Sequence, residues 1–131
     1  MQESVFQFSR PKVKNIEYSI SKEYKPEEKV NLHQHFQRNI TRIEQKNEAI
    51  VELTIELGCD EKSTNPPFAL KITIGAKFLW DNTLDEEMLN SLLTINAPSL
   101  LLGYARPVIS NITANSMGAY DLPFISFADE M

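Results

Sequence analysis

Cysteine is almost missing from this sequence: Cys59 is the one thiol among 131 residues. A single thiol excludes an intramolecular disulfide and fits a reducing compartment. Glycine is scarce as well. The chain has four, and none stands in a phosphate-cradling pattern, so nucleotide-loop chemistry has no footing. Positive charge is in deficit, with 13 Lys and Arg against 18 Asp and Glu and a net charge of -5. Nucleic acid rewards basic patches, so no nucleic-acid partner is expected. An acidic balance serves solubility and favours a basic partner. Long hydrophobic runs are lacking too, none approaching the roughly 20 residues that a membrane helix needs. The opening MQESVFQFSRPKVK shows no apolar signal core and no cleavage pattern. The expectation is therefore a cytoplasmic protein without membrane insertion. On that footing the two Asn-Ile-Thr triplets at Asn39 and Asn111 carry no weight as glycosylation acceptors.

What remains is an ordinary globular composition, 42% hydrophobic and 24% charged. The length suits one domain over residues 1–131. No repeat, linker or low-complexity segment interrupts it. Apolar alternation predicts a first strand from about Val5 to Ser21, with Ile16, Tyr18 and Ile20 on one face. Pro11 falls inside it and predicts a break or an edge position. A polar connector around Pro26 follows. A second strand draws on Val30, Leu32, Phe36 and Ile40, its face interrupted by Gln34 and Arg38. The third alternates cleanly, with Ala49, Val51, Leu53, Ile55 and Leu57 on one side. The fourth sets Phe68, Leu70, Ile72, Ile74, Ala76, Phe78 and Trp80 on one face.

Strands with one apolar face make a one-sided sheet, which needs a cover. The rest of the chain supplies it. Thr83 with Glu86 reads as a capping box, ahead of Met88, Leu92 and Ile95 at helical spacing. Leu101, Tyr104, Val108 and Ile112 continue that spacing. Pro98 suits the first turn of a second helical piece. Gly118 is a plausible stop. Pro107 sits mid-helix, where proline costs about 3 kcal/mol, and predicts a bend or a later helix start. The fold class is thus α+β: a four-stranded antiparallel sheet with one long, kinked C-terminal helix packed on it. The final AYDLPFISFADEM is an extended apolar tail that needs a surface to lie against.

Chemistry is thin. His33 and His35 would share a strand face and could present two imidazoles to a metal, but no third ligand is near in sequence. Cys59 beside Asp60 has no partner-histidine pattern. Asp85-Glu86-Glu87 suits a helix N-terminus, and Glu27-Glu28 and Asp129-Glu130 suit solvent. No catalytic residue, metal site or cofactor is expected, and no enzyme. The unusual feature is an apolar surplus. Phe78-Leu79-Trp80 is apolar on both faces, and Leu89, Leu93, Leu100, Leu102, Val108 and Ile109 put apolar residues on more than one side of the helix. Such a helix is buried between two layers, most simply across a subunit interface, or borders a groove for apolar chains.

The segment NAPSLLLGYARPVISNITANSMGAYDLPFISF resembles the signature region of the SecB family of bacterial export chaperones. It carries an Ala-Pro turn, an apolar run into Tyr104-Ala105-Arg106, and a Gly/aromatic/Leu/Pro loop closing on Ser-Phe. SKEYKPEEKVNL is similar to the family's aromatic-x-Pro-Glu connector. The resemblance spans nearly the whole chain and is specific from Ala97 to Phe127. It implies a four-stranded antiparallel sheet, a long helix and a shorter C-terminal helix. It also implies a homo-oligomer, a dimer or dimer of dimers, with Leu92, Leu101, Tyr104, Arg106, Val108 and Ile112 in the interface or structural helix.

The implied function is ATP-independent binding of unfolded or precursor polypeptides in an apolar groove. Carried over by position, that groove draws on Tyr24, Val30, Leu32, Phe78, Trp80, Tyr120, Leu122, Phe124 and Phe127. Broad client choice needs apolar area and adaptable contacts, not a unique hydrogen-bond code. The family offers acidic outer-face residues to the SecA motor. The matching positions are Asn15, Ser19 and Lys71, and Lys71 inverts the charge, which counts against that route. The chain stops at Met131, about where the family's second helix would begin, so the expectation is either a sequence cut there or a divergent member lacking that helix. Alternatives are a dedicated partner-specific chaperone or antitoxin-type interaction protein, as in SecB-like proteins of toxin–antitoxin systems, and a small-molecule binding module on the same scaffold.

Overall fold

The cleanest alternation in the sequence becomes the centre of the sheet. In this computed structural model, which describes residues 4–116, 118–123 and 125–129, the strands are β1 (Phe6–Phe8), β2 (Lys12–Ile20), β3 (Gln34–Ile43), β4 (Glu48–Leu57) and β5 (Phe68–Trp80). All pairings are antiparallel. β4 and β5 lie in the middle, β3 flanks β4, and β1 and β2 share the far edge of β5. The first strand is therefore one edge broken at Pro11, as the proline predicts, because it cannot donate to a ladder. Ser9 bridges the break: its N–H donates to the Lys77 carbonyl at 2.9 Å, and its Oγ accepts from the Lys77 N–H at 3.0 Å.

One face of the sheet is dry. Ala49, Val51, Leu53, Ile55 and Leu57 of β4 and the matching β5 residues are buried there. The opposite face carries Thr54 hydrogen-bonded to Thr73, and Lys14 paired with Glu52 at 2.6 Å. The second strand begins at Gln34, not at Val30. Val30 and Leu32 fall in the connector that crosses from the β2 edge to the β3 edge. Asn65 holds that connector, accepting from the Lys25 N–H and donating to the Lys25 carbonyl. Gly58 ends β4 at φ +69°, and a Cβ there would lie 2.4 Å from the Phe68 carbonyl oxygen and 2.7 Å from Leu32 Cδ1. Only glycine fits that approach.

The helix runs as α1 (Glu86–Ser91), a π turn (Leu92–Asn96) and α2 (Ala97–Ala114). Its N-cap is Asp85, whose carboxylate accepts from the Met88 N–H at 2.8 Å. This corrects the Thr83 cap: the Thr83 N–H instead donates to Asp81 in a turn just ahead of the helix. The two helical pieces are continuous through the π turn, with Pro98 in the first turn of α2. α2 runs unbroken through Pro107, which faces solvent. The carbonyl four residues back belongs to Gly103, also exposed, so the lost hydrogen bond falls on the wet side. The other side of α2 buries Leu101, Leu102, Ala105 and Ile109 against β4 and β5. The helix ends at Ala114, four residues ahead of Gly118.

Candidate functional site

The tail is clamped by polar side chains that point into the apolar face. Arg38 and Gln34 occupy inward positions on β3, where a pure core strand would carry apolar residues. Arg38 Nη1 donates to the Thr94 carbonyl at 2.7 Å and to the Phe127 carbonyl at 3.3 Å. Arg38 thereby reaches from the sheet to the π turn, whose backbone bonds run five residues along and not four, as from the Ala97 N–H to the Leu92 carbonyl. The same guanidinium lies 5.6 Å from the centroid of the Phe127 ring. Gln34 donates to the Tyr120 hydroxyl at 2.6 Å, and the Tyr120 N–H donates to Thr113 Oγ1 at 2.7 Å. Arg106 Nε donates to the Leu122 carbonyl at 2.8 Å. Leu122 and Phe127 are thereby sealed into the core, and Phe127 meets Phe36 edge-on.

The other edge of the same face is left uncovered. Ile16 and Ile20 stand opposite Ile72 and Phe68 on the core side, yet are 43% and 52% exposed. Val13 and Phe8 are also exposed, and the Phe8 ring meets Tyr104 of α2 edge-on. Tyr104 itself is 46% exposed. α2 thus covers β4 and β5 but not the β1–β2 edge. At the Phe68 end of the sheet, Tyr18 and Tyr120 both pack on the Phe68 ring. Val30 is exposed, and Tyr24 and Leu32 are half-buried.

The groove residues read from the sequence do not form one surface. Tyr120 and Leu32 pack beside the core at the Gly58–Phe68 end. Phe78 and Trp80 lie at the opposite end of β5. Phe78, Leu122 and Phe127 are each 1% exposed and present no free face in this conformation. Trp80 is half-buried beneath the Arg42 guanidinium, 5.5 Å away. Phe124 lies outside the described residues. Of the helix residues, Leu101 is fully buried on the chain's own sheet; Leu92, Arg106, Val108 and Ile112 are half-buried. The uncovered residues Phe8, Val13, Ile16 and Ile20 escape sequence reasoning, because alternation assigns a face but not its cover. Gln34 and Arg38, read as interruptions, were the available signal for the clamp.

The titratable groups offer no reactive constellation among the described residues. His33 Nδ1 is 2.8 Å from Asp60, and His35 stands opposite Glu56 across the ladder. Burial pushes the Cys59 thiol up, with the Glu56 charge adding to it. A two-point hydrogen bond from Arg42, at 2.9 and 3.1 Å, holds the Glu86 carboxyl below the usual carboxylate range. It ties the end of β3 to the start of α1.

Against known families, residues 6–125 match SecB, preprotein translocase subunit SecB. The chain belongs to the SecB family. Among solved structures, the SecB family fold recurs in the Rv1957 SecB-like chaperone of Mycobacterium tuberculosis, solved with a ChAD peptide from the Rv1956 HigA1 antitoxin. The TM-score is 0.73 at 14% identity, over 92% of this chain and 90% of that one. A protein of unknown function from Streptococcus agalactiae matches at TM-score 0.46 and 14% identity, over 91% of this chain and 97% of that one. No curated protein sequence matches. The α+β fold with an antiparallel sheet and a C-terminal helix is the one the SecB resemblance implies. Among the described residues, no helix of this SecB member is long and apolar enough to cross a membrane.

Proposed function

We propose that this SecB family member is a nucleotide-independent holdase for unfolded or precursor polypeptides, working as a homo-oligomer in the cytoplasm and catalysing no reaction. The observation that carries the reading is the uncovered core-side edge: Phe8, which meets Tyr104, followed along the strand by exposed Val13, Ile16 and Ile20. A contiguous exposed apolar patch on a sheet edge invites association. A second copy covers the part nearest Tyr104 and the outer side of α2. Client chain lies at the Phe68 end, against Ile20, Val30, Leu32, Tyr24 and Tyr120. Leu122 and Phe127 act as supporting core beneath it, and Trp80 with Phe8 forms a second apolar station at the other end, over buried Phe78. The SecA route remains disfavoured: Lys71 stands opposite both Glu17 and Glu56 on the outer face, so charge there is balanced across the strands.

The test is aggregation of a chemically unfolded client in the presence of the full chain. Suppression near stoichiometric amounts is expected; no effect at several-fold molar excess overturns the reading. Light scattering is expected to give a dimer or a dimer of dimers. A second reading, a dedicated chaperone for one partner such as an antitoxin, draws support from the antitoxin peptide held by the mycobacterial neighbour. Affinity capture separates the two, since one dominant partner favours the second reading and many favour the first.

A further inference from the structure

The outer face of the sheet holds a basic depression in an otherwise acidic chain. It lies beside the β1–β2 break, has a volume of about 280 Å³, and is rimmed by Arg10, Lys12, Lys14 and Lys77. Ile50 and Gly75 form its floor. Strand register explains the convergence. Lys12 stands opposite Gly75, and Ser9 bonds to Lys77. A bulge between Val13 and Asn15 lets Lys14 reach across the glycine to Glu52. A Cβ on Gly75 would sit 3.0 Å from Glu52 Cγ and 3.4 Å from Lys14 Cε, so the absent side chain keeps the floor low.

Two of the four cations are already matched: Lys14 with Glu52 at 2.6 Å, and Lys77 with Glu48 at a looser 3.8 Å. Arg10 and Lys12 have no carboxylate partner among the described residues. We infer that this depression docks an acidic polypeptide segment, with carboxylates on Arg10 and Lys12 and an aliphatic side chain on Ile50. The occupant follows from the chemistry. Unmatched cations ask for anions, and the apolar floor asks for a carbon side chain between them. Nucleic acid fits poorly, because no aromatic ring lines the depression for base stacking. The site lies on the face of the sheet opposite the proposed client surface, so it stands independently of that function.

The test uses the full chain and a labelled peptide alternating Glu or Asp with Leu, read by fluorescence anisotropy. Saturable binding that weakens as salt rises is expected. The R10E/K12E variant is expected to bind about tenfold more weakly, since rim charges govern such contacts. R10Q/K12Q serves if circular dichroism shows the reversal variant misfolded. Ile50→Thr is expected to weaken the peptide while leaving competition by inorganic phosphate unchanged. The proposal is overturned if the peptide does not bind at low salt. Full affinity in the R10E/K12E or R10Q/K12Q variant overturns it equally. So does an oligodeoxythymidine that binds at least as tightly, or inorganic phosphate that competes as well as the peptide does.

Discussion

Arg38 shows how one polar side chain can organise an apolar face. Its guanidinium serves the Thr94 and Phe127 carbonyls and lies over the Phe127 ring. Hydrogen bonds to a charged group contribute about 1.5–3 kcal/mol where partners would otherwise be stranded. Arg38→Ala is therefore expected to cost about 2–3 kcal/mol in urea denaturation. Arg38→Lys should recover less than half, since an ammonium lacks the fork that spans two acceptors. A neutral outcome for Arg38→Ala would remove the clamp from the account. Cys59 makes a kinetic prediction. Burial raises its pKa, so less thiolate is present near neutral pH. Alkylation is expected to be slower than that of free cysteine, and faster labelling would contradict the assignment.

At the scale of elements, Pro107 is tolerated because the lost hydrogen bond falls on the exposed side of α2, at Gly103. Pro107→Ala restores the donor and is expected to raise stability by about 1–2 kcal/mol, less than the full proline penalty because the backbone has already adjusted. A loss of stability on this change, by thermal or urea unfolding, would show that the ring is needed. The tail is an element of a different kind. Among its described residues there is no regular structure between Gly118 and Phe127, yet Leu122 and Phe127 are core. Phe127→Ala empties the space between Phe36 and Arg38 and is expected to cost about 3–5 kcal/mol. Increased binding of an apolar dye should accompany it.

For the whole molecule, the governing fact is that one helix covers two of the strands on the apolar face and the tail covers a third. β3 is closed by the tail and its clamp, whereas the β1–β2 edge stays open. Substituting Ile16 and Ile20 together by Lys should change the stability of the isolated subunit by no more than about 0.5 kcal/mol per site, as exposed positions do. The same variant is expected to lower the mass seen by light scattering and to reduce protection of an unfolded client. Unchanged mass and unchanged protection would place the working surface elsewhere. The depression adds a local basic site to an outer face whose other charges are matched across the strands.

Much of this was legible from residue order. The β4 and β5 faces, the break at Pro11, the helix and its resemblance to SecB all follow from local alternation, helical spacing and a continuous motif. Those signals act between near neighbours in the chain, so the sequence by itself determined them. The cap moved from Thr83 to Asp85, and the second strand began four residues late, because boundaries depend on competing local hydrogen bonds. That a helix covers the sheet was legible; which strands it leaves open was not. Alternation places Ile16 and Phe78 on the same kind of face, but one is exposed and the other buried. That difference comes from a single helix, about 10 Å across, lying on a sheet of strands spaced about 4.8 Å apart, so it covers two strands and leaves an edge open. Only the tertiary structure decided it, since burial is set by distant segments and not by the strand that carries the side chain.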